Sequence, residues 1–577
     1  MSRKKALSKD ELDHIADHVS DVSSLSDFSS GSSDLWEPTS AKDSEGDNVS
    51  SCSSNIVDSQ QVEELEELIE SESNEEETAY VDESGGSKNQ PIIWSDVPPN
   101  FVPSKSIPVL RKCSLSSNFE KTMSPCDIFH KIFPRSIFMY ITQCTNDRLT
   151  ILQNLKGNKK RRIQNTDVGE IQIVIGSVLI MSYNRLPSLI HYWSKHPSMG
   201  NQTIKAAISR DRFKLVSSKL YFAPPEKPAN CSKTYYIDDI VQCLKNTFQK
   251  SRQDSNFQSI DESMTKFKGR SSLKQYMPLK PTKRGIKMWL RCDSETGYTY
   301  DFNIYAGKEE GNQDGTLGER VVNALAATIT ESDVALSFDR FFTSVDLLLS
   351  INYAAVGTCI ASRKNIPKLP GKLKKGESVF KCSEKGVIFT KWQDTKDVLA
   401  LSNCHTNNIV PLTKKNKDGT RSPIECPEMI AFYREHMGGV DRADQMAGLY
   451  EFDRKSKKWW IKVFYRLLMM SAVNAWVIYK EISGNKKIPF LEFLVPLAEE
   501  IIYEGKKNTA LVRGPPTGRI SKKRRSQGNV SMHLPVEGET RRRCARCAEN
   551  KIQKRTKTIC RECDIPLCKN CFATYHI

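Results

Sequence analysis

The sequence predicts a mixed α/β core covered by helices, followed by a small cysteine-rich module. Apolar residues alternate from Ile286 to Cys292 and from Tyr298 to Ile304, and the turn Ser294–Gly297 between them indicates a β-hairpin. A helix-like stretch from Leu317 to Ile329 comes before the short apolar run Val334 to Phe338, an alternation typical of a sheet with helices on its faces. A chain of 577 residues has room for roughly three or four such folding units.

The charge of the chain is divided unevenly. Residues 1–100 hold 24 acidic and 6 basic side chains, so the remainder carries +34 although the whole chain carries only +16. Residues 1–98 are rich in Ser, Asp and Glu, which predicts a disordered acidic N-terminal region. The basic body is typical of a protein that binds nucleic acid or another polyanion.

Composition also excludes some classes of protein. No uninterrupted apolar run reaches the roughly 20 residues of a membrane span, and the N-terminus has no apolar segment typical of a signal peptide. Of the 17 cysteines, six lie between Cys544 and Cys571 and the others are scattered, which favours reduced thiols in an intracellular protein. The overall basic charge favours the nucleus, with basic runs at 159–162 and 522–525 as candidate import signals.

Other segments complete the predicted organisation. Apolar residues recur at helical spacing between about residues 124 and 248, whereas residues 366–425 contain short strand-like runs and many lysines and glycines. From Lys457 to Ile482 an apolar helical face predicts a core helix with Lys458, Lys462 and Arg466 on a solvated basic face. The alternative is a helix dedicated to reading DNA.

Aspartates follow two apolar runs directly. Asp261 comes after one predicted strand and Asp339 after another, and Asp441 and Asp444 share one side of a helix start at i,i+3 spacing. Hard divalent cations prefer such carboxylate ligands, and two Mg²⁺ ions can bind both oxygens of a phosphoryl displacement. The simpler alternative for any single aspartate is an ordinary cap or strand end, where it binds free backbone N–H groups.

Several segments closely resemble piggyBac-type DNA transposases. They occur in the order found in that family: Arg185–Trp193, Ser209–Phe213, Ser259–Pro281, Lys283–Lys287, Phe338–Ser344, Gly357–Pro367, Met437–Gln445 and Arg454–Trp460. The resemblance implies an RNase H-like catalytic core interrupted by a β-rich insertion, together with a helical domain for dimerisation and DNA binding. The implied boundaries are 118–256 and 451–505 for the helical domain, 257–365 and 426–450 for the core, 366–425 for the insertion domain, 506–530 for a basic linker and 531–577 for a zinc-binding domain.

The resemblance also implies a site and a reaction. Asp261, Asp339 and Asp441 match the catalytic triad and Asp444 a further aspartate near it, with two Mg²⁺ ions. The implied reaction is cut-and-paste transposition at TTAA sites by a homodimer bound to double-stranded DNA. Arg340 stands where the family usually has Asn, which brings activity rather than fold into question. The expected DNA-contacting residues are Lys283, Arg284, Lys287, Arg363, Lys364, Lys457, Lys458, Arg541, Arg542 and Arg543.

The C-terminal cysteines have the spacing of zinc ligands. Three C-x2-C pairs predict tetrahedral zinc sites, because each pair can reach one ion. The candidate ligands are Cys544, Cys547, Cys560, Cys563, Cys568, Cys571, His576 and, upstream, His533. This composition favours an interleaved two-zinc cross-brace. Such a module could bind the terminal repeats of an element or, alternatively, a histone or other protein.

Two further interpretations stay open from sequence alone. The chain could be a domesticated DNA- or chromatin-binding protein that keeps the fold without the chemistry, which Arg340 favours. It could also be a zinc-finger interaction protein with the body as scaffold, in which case Asp261, Asp339 and Asp441 would lie far apart.

Overall fold

The computed structural model describes most of the chain beyond the acidic region. It covers residues 92–510 and 533–576, apart from 155–162, 197, 279, 281, 309–313, 370, 416–419, 551 and 562. The chain divides into two compact units, residues 1–508 and 509–577. The predicted disorder before residue 92, both candidate import signals, most of the basic linker and the side chain of His576 lie outside the described residues.

A ten-stranded mixed sheet forms the centre of the larger unit. Its strands are β1 (Trp94–Ser95), β2 (Phe257–Lys266), β3 (Lys274–Tyr276), β4 (Arg284–Asp293), β5 (Thr299–Ile304), β6 (Ala335–Phe338), β7 (Ala354–Thr358), β8 (Ser378–Ser383), β9 (Ile388–Gln393) and β10 (Asp397–Ser402). They follow the order β1-β8-β9-β10-β7-β6-β2-β4-β3, with β5 beside β4. Strands β2, β4 and β5 pair antiparallel, whereas β2, β6 and β7 pair parallel. The predicted mixed sheet and its hairpin are therefore confirmed.

The sheet is buried on both faces. Met288 and Leu290 of β4 belong to an apolar core shared with the helical domain, while Trp289 between them packs with Ile260 and Phe338 in a second core. Because successive side chains of a strand point to opposite faces, one strand supplies both cores. This double burial explains the high apolar content of the strand.

Helices cover the sheet and build the helical domain. They are α1 (Pro125–Ile132), α2 (Arg135–Asn154), α3 (Val168–Tyr183), α4 (Gln202–Ala207), α5 (Arg210–Lys219), α6 (Asp238–Ser251), α7 (Leu317–Ala326), α8 (Val345–Ser350), α9 (Glu428–His436), α10 (Gly439–Leu449), α11 (Trp459–Ser483) and α12 (Phe490–Asn508). A 3-10 helix covers Leu189–Trp193.

Helix α11 is the central helix of the domain, and the prediction of a solvated basic face on it is wrong. Lys462 is 4% exposed and Arg466 is 3% exposed, and each forms an ion pair, with Asp453 and Asp444 respectively. Among the described helices, α11 alone is long and apolar enough to cross a membrane, and it is fully buried inside the protein. Its hydropathy is therefore that of a core helix.

Two predicted boundaries differ from the structure. The insertion at 366–425 is not a separate domain, because β10 pairs with the edge of β7 and β8 to β10 extend the central sheet. Only the hairpin of β11 (Ile409–Lys415) and β12 (Arg421–Pro427) forms a sheet of its own. Ordered structure also begins inside the predicted disordered region 1–98, since β1 pairs with β8.

The smaller unit contains a hairpin and two short helices. Strand β13 (Pro535–Arg543) pairs antiparallel with β14 (Arg555–Cys560). Helix α13 (Ala545–Glu549) follows β13, and α14 (Lys569–His576) ends the described chain.

Candidate active site and metal centres

The parallel pairing of β2 with β6 brings two predicted aspartates together. Ile260 lies opposite Phe338 in the register of the two strands, so the next residues, Asp261 and Asp339, are neighbours at the same edge of the sheet. The Asp261 carboxylate accepts a hydrogen bond from the N–H of Glu262 at 2.7 Å, and Asp339 accepts one from the N–H of Phe341 at 2.9 Å. Both side chains are thus fixed locally.

Glu262 is a third member of this site and was not predicted. Asp261, Glu262 and Asp339 each place one carboxylate oxygen within 4.8 Å of the others. Lys280 also lies here, with its Nζ 3.1 Å from Glu262 Oε1. The only sequence signal for Glu262 was its position beside Asp261, and Lys280 had none beyond its place in a resembling segment.

Burial and mutual repulsion control the protonation of these groups. Burial raises the pKa of Asp261 well above its usual value, and the nearby Glu262 carboxylate adds to the effect. Burial and Glu262 likewise raise the pKa of Asp339. Burial would raise the pKa of Glu262 too, but Lys280 and Lys287 outweigh it and hold that pKa below its usual value. The site therefore favours binding of positive charge, whether protons or cations.

Helix α10 places Asp441 beside the same strand. The N–H of Val440 donates to Ser259 Oγ at 3.1 Å, and Asp444 accepts from Ser263 Oγ at 2.7 Å, so the first turn of the helix runs along β2 past Asp261. Asp441 is solvent-exposed and interacts electrostatically with Lys280, but it is not part of the 4.8 Å group. It lies at the rim of the site.

The structure does not place Asp444 in the group formed by Asp261, Glu262 and Asp339. Its Oδ1 accepts hydrogen bonds from Ser263 and from the buried guanidinium of Arg466. Those contacts occupy Asp444 in an ion pair that joins α10, α11 and β2. Asp444 is therefore outside the 4.8 Å group, and its predicted catalytic role stays a prediction.

Arg340 follows Asp339 directly, and its positive charge acts to lower the pKa of that carboxyl, against the larger effect of burial. The Arg340 side chain is exposed, and the described residues include no ion pair between its guanidinium and Asp339. The backbone carbonyls of Arg340 and Phe341 accept hydrogen bonds from Arg363 at 2.8 and 2.9 Å. Arg363 thus holds the loop after β6 in place, rather than being a free DNA-contacting side chain as expected.

The other expected DNA-contacting residues fall into two groups. The residues of the first group are exposed: Lys283, Arg284, Lys364, Lys457, Arg541, Arg542 and Arg543. Lys287, by contrast, is 8% exposed and its Nζ lies 3.9 Å from the ring centroid of Trp289. Because it faces Glu262 inside the protein, Lys287 is placed to balance the charge of the site instead of contacting DNA at the surface.

Lys458 belongs to an aromatic and basic cluster beside α11. Its Nζ lies 4.3 Å from the ring centroid of Tyr221, and Trp460 stacks on Tyr236 with centroids 4.5 Å apart. Burial lowers the pKa of Lys458 to about 8, and the positive charges of Lys219 and Arg148 act in the same direction. Within the described part of the chain Lys458, Lys219 and Arg148 form no ion pair, and cations beside stacked rings suit phosphates and bases.

The C-terminal unit gathers its ligand residues into two groups. Cys544, Cys547, Cys568 and Cys571 form one, and His533, Cys560 and Cys563 form the other. In the first, Cys547 Sγ lies 3.8 Å from Cys568 Sγ and 3.7 Å from Cys571 Sγ. Zn–S bonds of ~2.3 Å in a tetrahedron place sulfurs roughly 3.8 Å apart, so these residues fit zinc.

The second group and the order of the pairs agree with an interleaved module. His533 Nδ1 lies 3.4 Å from Cys560 Sγ and 3.2 Å from Cys563 Sγ. The first and third cysteine pairs share one group while the second pair belongs to the other, as a cross-brace requires. All the described cysteines are free of disulfides.

Comparisons with known proteins agree with this architecture. A family model described as "Transposase IS4" matches residues 124–476, and one described as "DDE_Tnp_1-like zinc finger" matches residues 531–577. The human protein "PiggyBac transposable element-derived protein 3" is 26% identical over 431 residues, 70% of each chain. The human "PiggyBac transposable element-derived protein 2" is 26% identical over 443 residues, covering 74% of this chain and 72% of the relative.

A solved structure shows the same fold. It is described as a cryo-EM structure of the piggyBac transposase synaptic complex with hairpin DNA, and it matches with a TM-score of 0.61 and 22% identity. The match covers 80% of this chain and all of the solved chain. The predicted RNase H-like α/β core with helical domain and C-terminal zinc module is confirmed at the level of fold. Because the transposase model spans more than half of the sequence, the chain belongs to the piggyBac-type family of transposases and transposable element-derived proteins.

Proposed function

We propose that the chain is a Mg²⁺-dependent transposase that cuts and joins DNA strands at TTAA sites. The observation that carries the proposal is the convergence of Asp261, Glu262 and Asp339 at one sheet edge, with Asp441 at the rim. A protein retained only for binding would have no need of three carboxylates held together at a cost in electrostatic repulsion.

The residues of this site fit hard divalent cations. Their oxygens lie within 4.8 Å of one another, and burial together with the Glu262 charge raises the pKa of Asp261 and of Asp339. Asp261, Glu262, Asp339 and Asp441 would hold the ions. Bound Mg²⁺ would supply Lewis-acid activation of the attacking hydroxyl and stabilisation of the leaving oxygen.

The remaining residues of the site hold the carboxylates in place and balance their charge. The Lys280 ammonium binds Glu262 and is close enough to Asp261 and Asp441 for its own pKa to be raised by them, although burial acts against this. Arg363 fixes the loop that carries Asp339. The exposed Arg340 guanidinium is free to approach a DNA phosphate instead of competing for Asp339.

The proposal of DNA binding is based on the exposed basic side chains and on the aromatic cluster around Lys458. The exposed basic residues and the cluster around Lys458 would contact the phosphate backbone of transposon ends. The C-terminal module, with two zinc ions and the exposed Arg541–Arg543, would bind the terminal repeats. We further propose that the protein acts as a homodimer in the nucleus, where the acidic region is available to chromatin proteins.

The test is strand cleavage of a DNA library with randomised ends beside TTAA, in Mg²⁺. We expect the wild type to select and cut particular ends, whereas Asp261→Ala and Asp339→Ala cut none. Asp397→Ala, which removes an aspartate at the start of β10 distant in sequence from the site, is the matched control and should cut normally. Cleavage that survives both active-site changes would refute the proposed chemistry.

A second candidate function is DNA binding without catalysis. Arg340 supports it, because the family usually has Asn at this position. If the wild type binds the selected ends without cutting them while Arg340→Asn cuts, the chain is a disabled transposase. If Arg340→Asn also fails to cut, the protein is a DNA-binding protein whose inactivity has another origin.

A further inference from the structure

The larger unit contains a second group of metal-ligating side chains, away from the carboxylate site. Among the described residues, four groups of His, Cys, Asp or Glu have ligand atoms within 4.8 Å of one another. Two are in the C-terminal unit and one is the carboxylate site. The fourth consists of Cys126, His130 and Glu504, and no function considered above uses it.

Local sequence sets the geometry of this group. Cys126 and His130 are four residues apart on α1, so both side chains lie on one face of the helix. A capping box at Ser124 and Asp127 together with Pro125 in the first turn fixes where α1 begins. Cys126 is 1% exposed and His130 is 8% exposed, and Glu504 reaches them from α12.

The donor set suits a borderline transition metal. A thiolate, an imidazole and a carboxylate are the three ligand types that Zn²⁺ takes in proteins, and hard cations such as Mg²⁺ avoid sulfur. Among the described side chains His130 Nδ1 is buried with no hydrogen-bond partner, and because Nε2 faces Glu504, Nε2 would be the ligand atom. His130 Nε2 is 2.9 Å from Glu504 Oε2, slightly closer than the roughly 3.3 Å expected between two ligands of one tetrahedral zinc ion.

Outer contacts hold the carboxylate in place. Gln172 Nε2 donates to Glu504 Oε2 at 3.1 Å, and Asn508 Nδ2 donates to Gln172 Oε1 at 2.9 Å. Arg135 pairs with the other oxygen, Oε1, at 2.5 Å. Such outer hydrogen bonds are the usual support of a metal ligand, and they keep Glu504 turned toward α1.

Charge and access are also compatible with an ion. A thiolate and a carboxylate together neutralise a divalent cation, which limits the cost of burying it. An open cavity of about 470 Å³ beside the group is lined by Thr122, Met123, Asp127, His130, Lys131 and Arg135. Water from this cavity can supply the fourth ligand.

We propose that Cys126, His130 and Glu504 form a structural zinc site that joins helices α1 and α12 of the larger unit. The alternative is an ion-pair network of Arg135, Glu504 and His130 packed against an inert cysteine. The two differ in what happens to bound metal when Cys126 is removed.

The experiment measures zinc per full-length chain by mass spectrometry after dialysis against metal-free buffer. We expect Cys126→Ala and His130→Gln each to contain one zinc ion fewer than the wild type. The matched control is Cys144→Ala, which removes another buried cysteine, on α2, and should retain the wild-type content. Circular dichroism establishes that the variants are folded.

A second readout does not depend on the total count. Cobalt-loaded wild type should lose part of its thiolate-to-cobalt absorption in Cys126→Ala, and chelator should lower the melting temperature of the wild type more than that of the variant. Equal metal content in wild type, Cys126→Ala and Cys144→Ala would overturn the proposal. Loss confined to variants of Cys544 or Cys563 would assign all the zinc to the C-terminal module and would also overturn it.

Discussion

Removing the Asp444 carboxylate is expected to destabilise the larger unit rather than to remove a metal ligand. The Arg466 side chain is 4% exposed and hydrogen-bonds to Asp444 and Ser263, while Glu451 lies 3.8 Å away. Breaking a buried ion pair costs about 3–5 kcal/mol because the remaining charge stays buried. The Asp444 side chain is 32% exposed and Glu451 remains as a partner, so we expect Asp444→Ala to cost about 2–3 kcal/mol.

Urea unfolding followed by tryptophan fluorescence measures this cost, since Trp459, Trp460 and Trp476 lie on α11, the helix that carries Arg466. Glu435→Ala is the control, because it removes a carboxylate that is 76% exposed from the preceding helix α9 and should change stability by less than about 0.5 kcal/mol. The double variant Asp444→Ala/Arg466→Met should cost less than the sum of the single changes. A wild-type urea midpoint for Asp444→Ala, together with loss of DNA cleavage, would show that Asp444 acts at the reacting centre and that its placement here is wrong.

Three other perturbations test the metal sites and the DNA surface. Because burial raises the pKa of Asp261, the metal-free wild type should lose stability relative to Asp261→Asn as the pH increases from about 4 to 7, and Mg²⁺ should reverse the difference in urea midpoint. Cys547→Ala and Cys571→Ala should each lose the same single zinc ion, so the double variant should lose no more than either; additive loss, measured by mass spectrometry, would contradict the grouping. Lys458→Ala should weaken DNA binding. It should also reduce the magnitude of the slope of log binding constant against log salt concentration by about 0.9, and the exposed Lys487→Ala is the control. Since the pKa of Lys458 is about 8, its contribution to affinity should disappear between pH 7 and 9, and a pH-independent difference would be evidence against phosphate contact.

Local patterns in the sequence were sufficient to predict that Asp261 and Asp339 lie together in the site. Asp261 and Asp339 each follow an apolar run, and parallel pairing of those runs makes them neighbours. The hairpin from Ile286 to Ile304 could be predicted equally well, because the alternation of apolar residues and the turn residues both indicate a hairpin. These predictions depended on neighbours in the chain.

Predictions that depended on distant contacts were less successful. Asp441 and Asp444 share a helix side, but only the approach of Arg466 from α11 separates their roles. The buried ion pairs of Lys462 and Arg466 contradict the usual rule that charges mark a solvated face. The strands at 378–402 looked like a separate insertion because nothing in their composition shows that the edge of β7 is open to them.

The net charge of the carboxylate site determines how many divalent cations it can bind firmly. Four carboxylates, Asp261, Glu262, Asp339 and Asp441, are accompanied by two ammonium groups, Lys280 and Lys287. Two net negative charges remain. Without a cation, burial first and the Glu262 charge second favour the protonated forms of Asp261 and Asp339, so both pKa values are raised. One divalent ion would neutralise that remainder by itself. A second ion would make the site positive, and it should therefore bind firmly only when DNA phosphates are present.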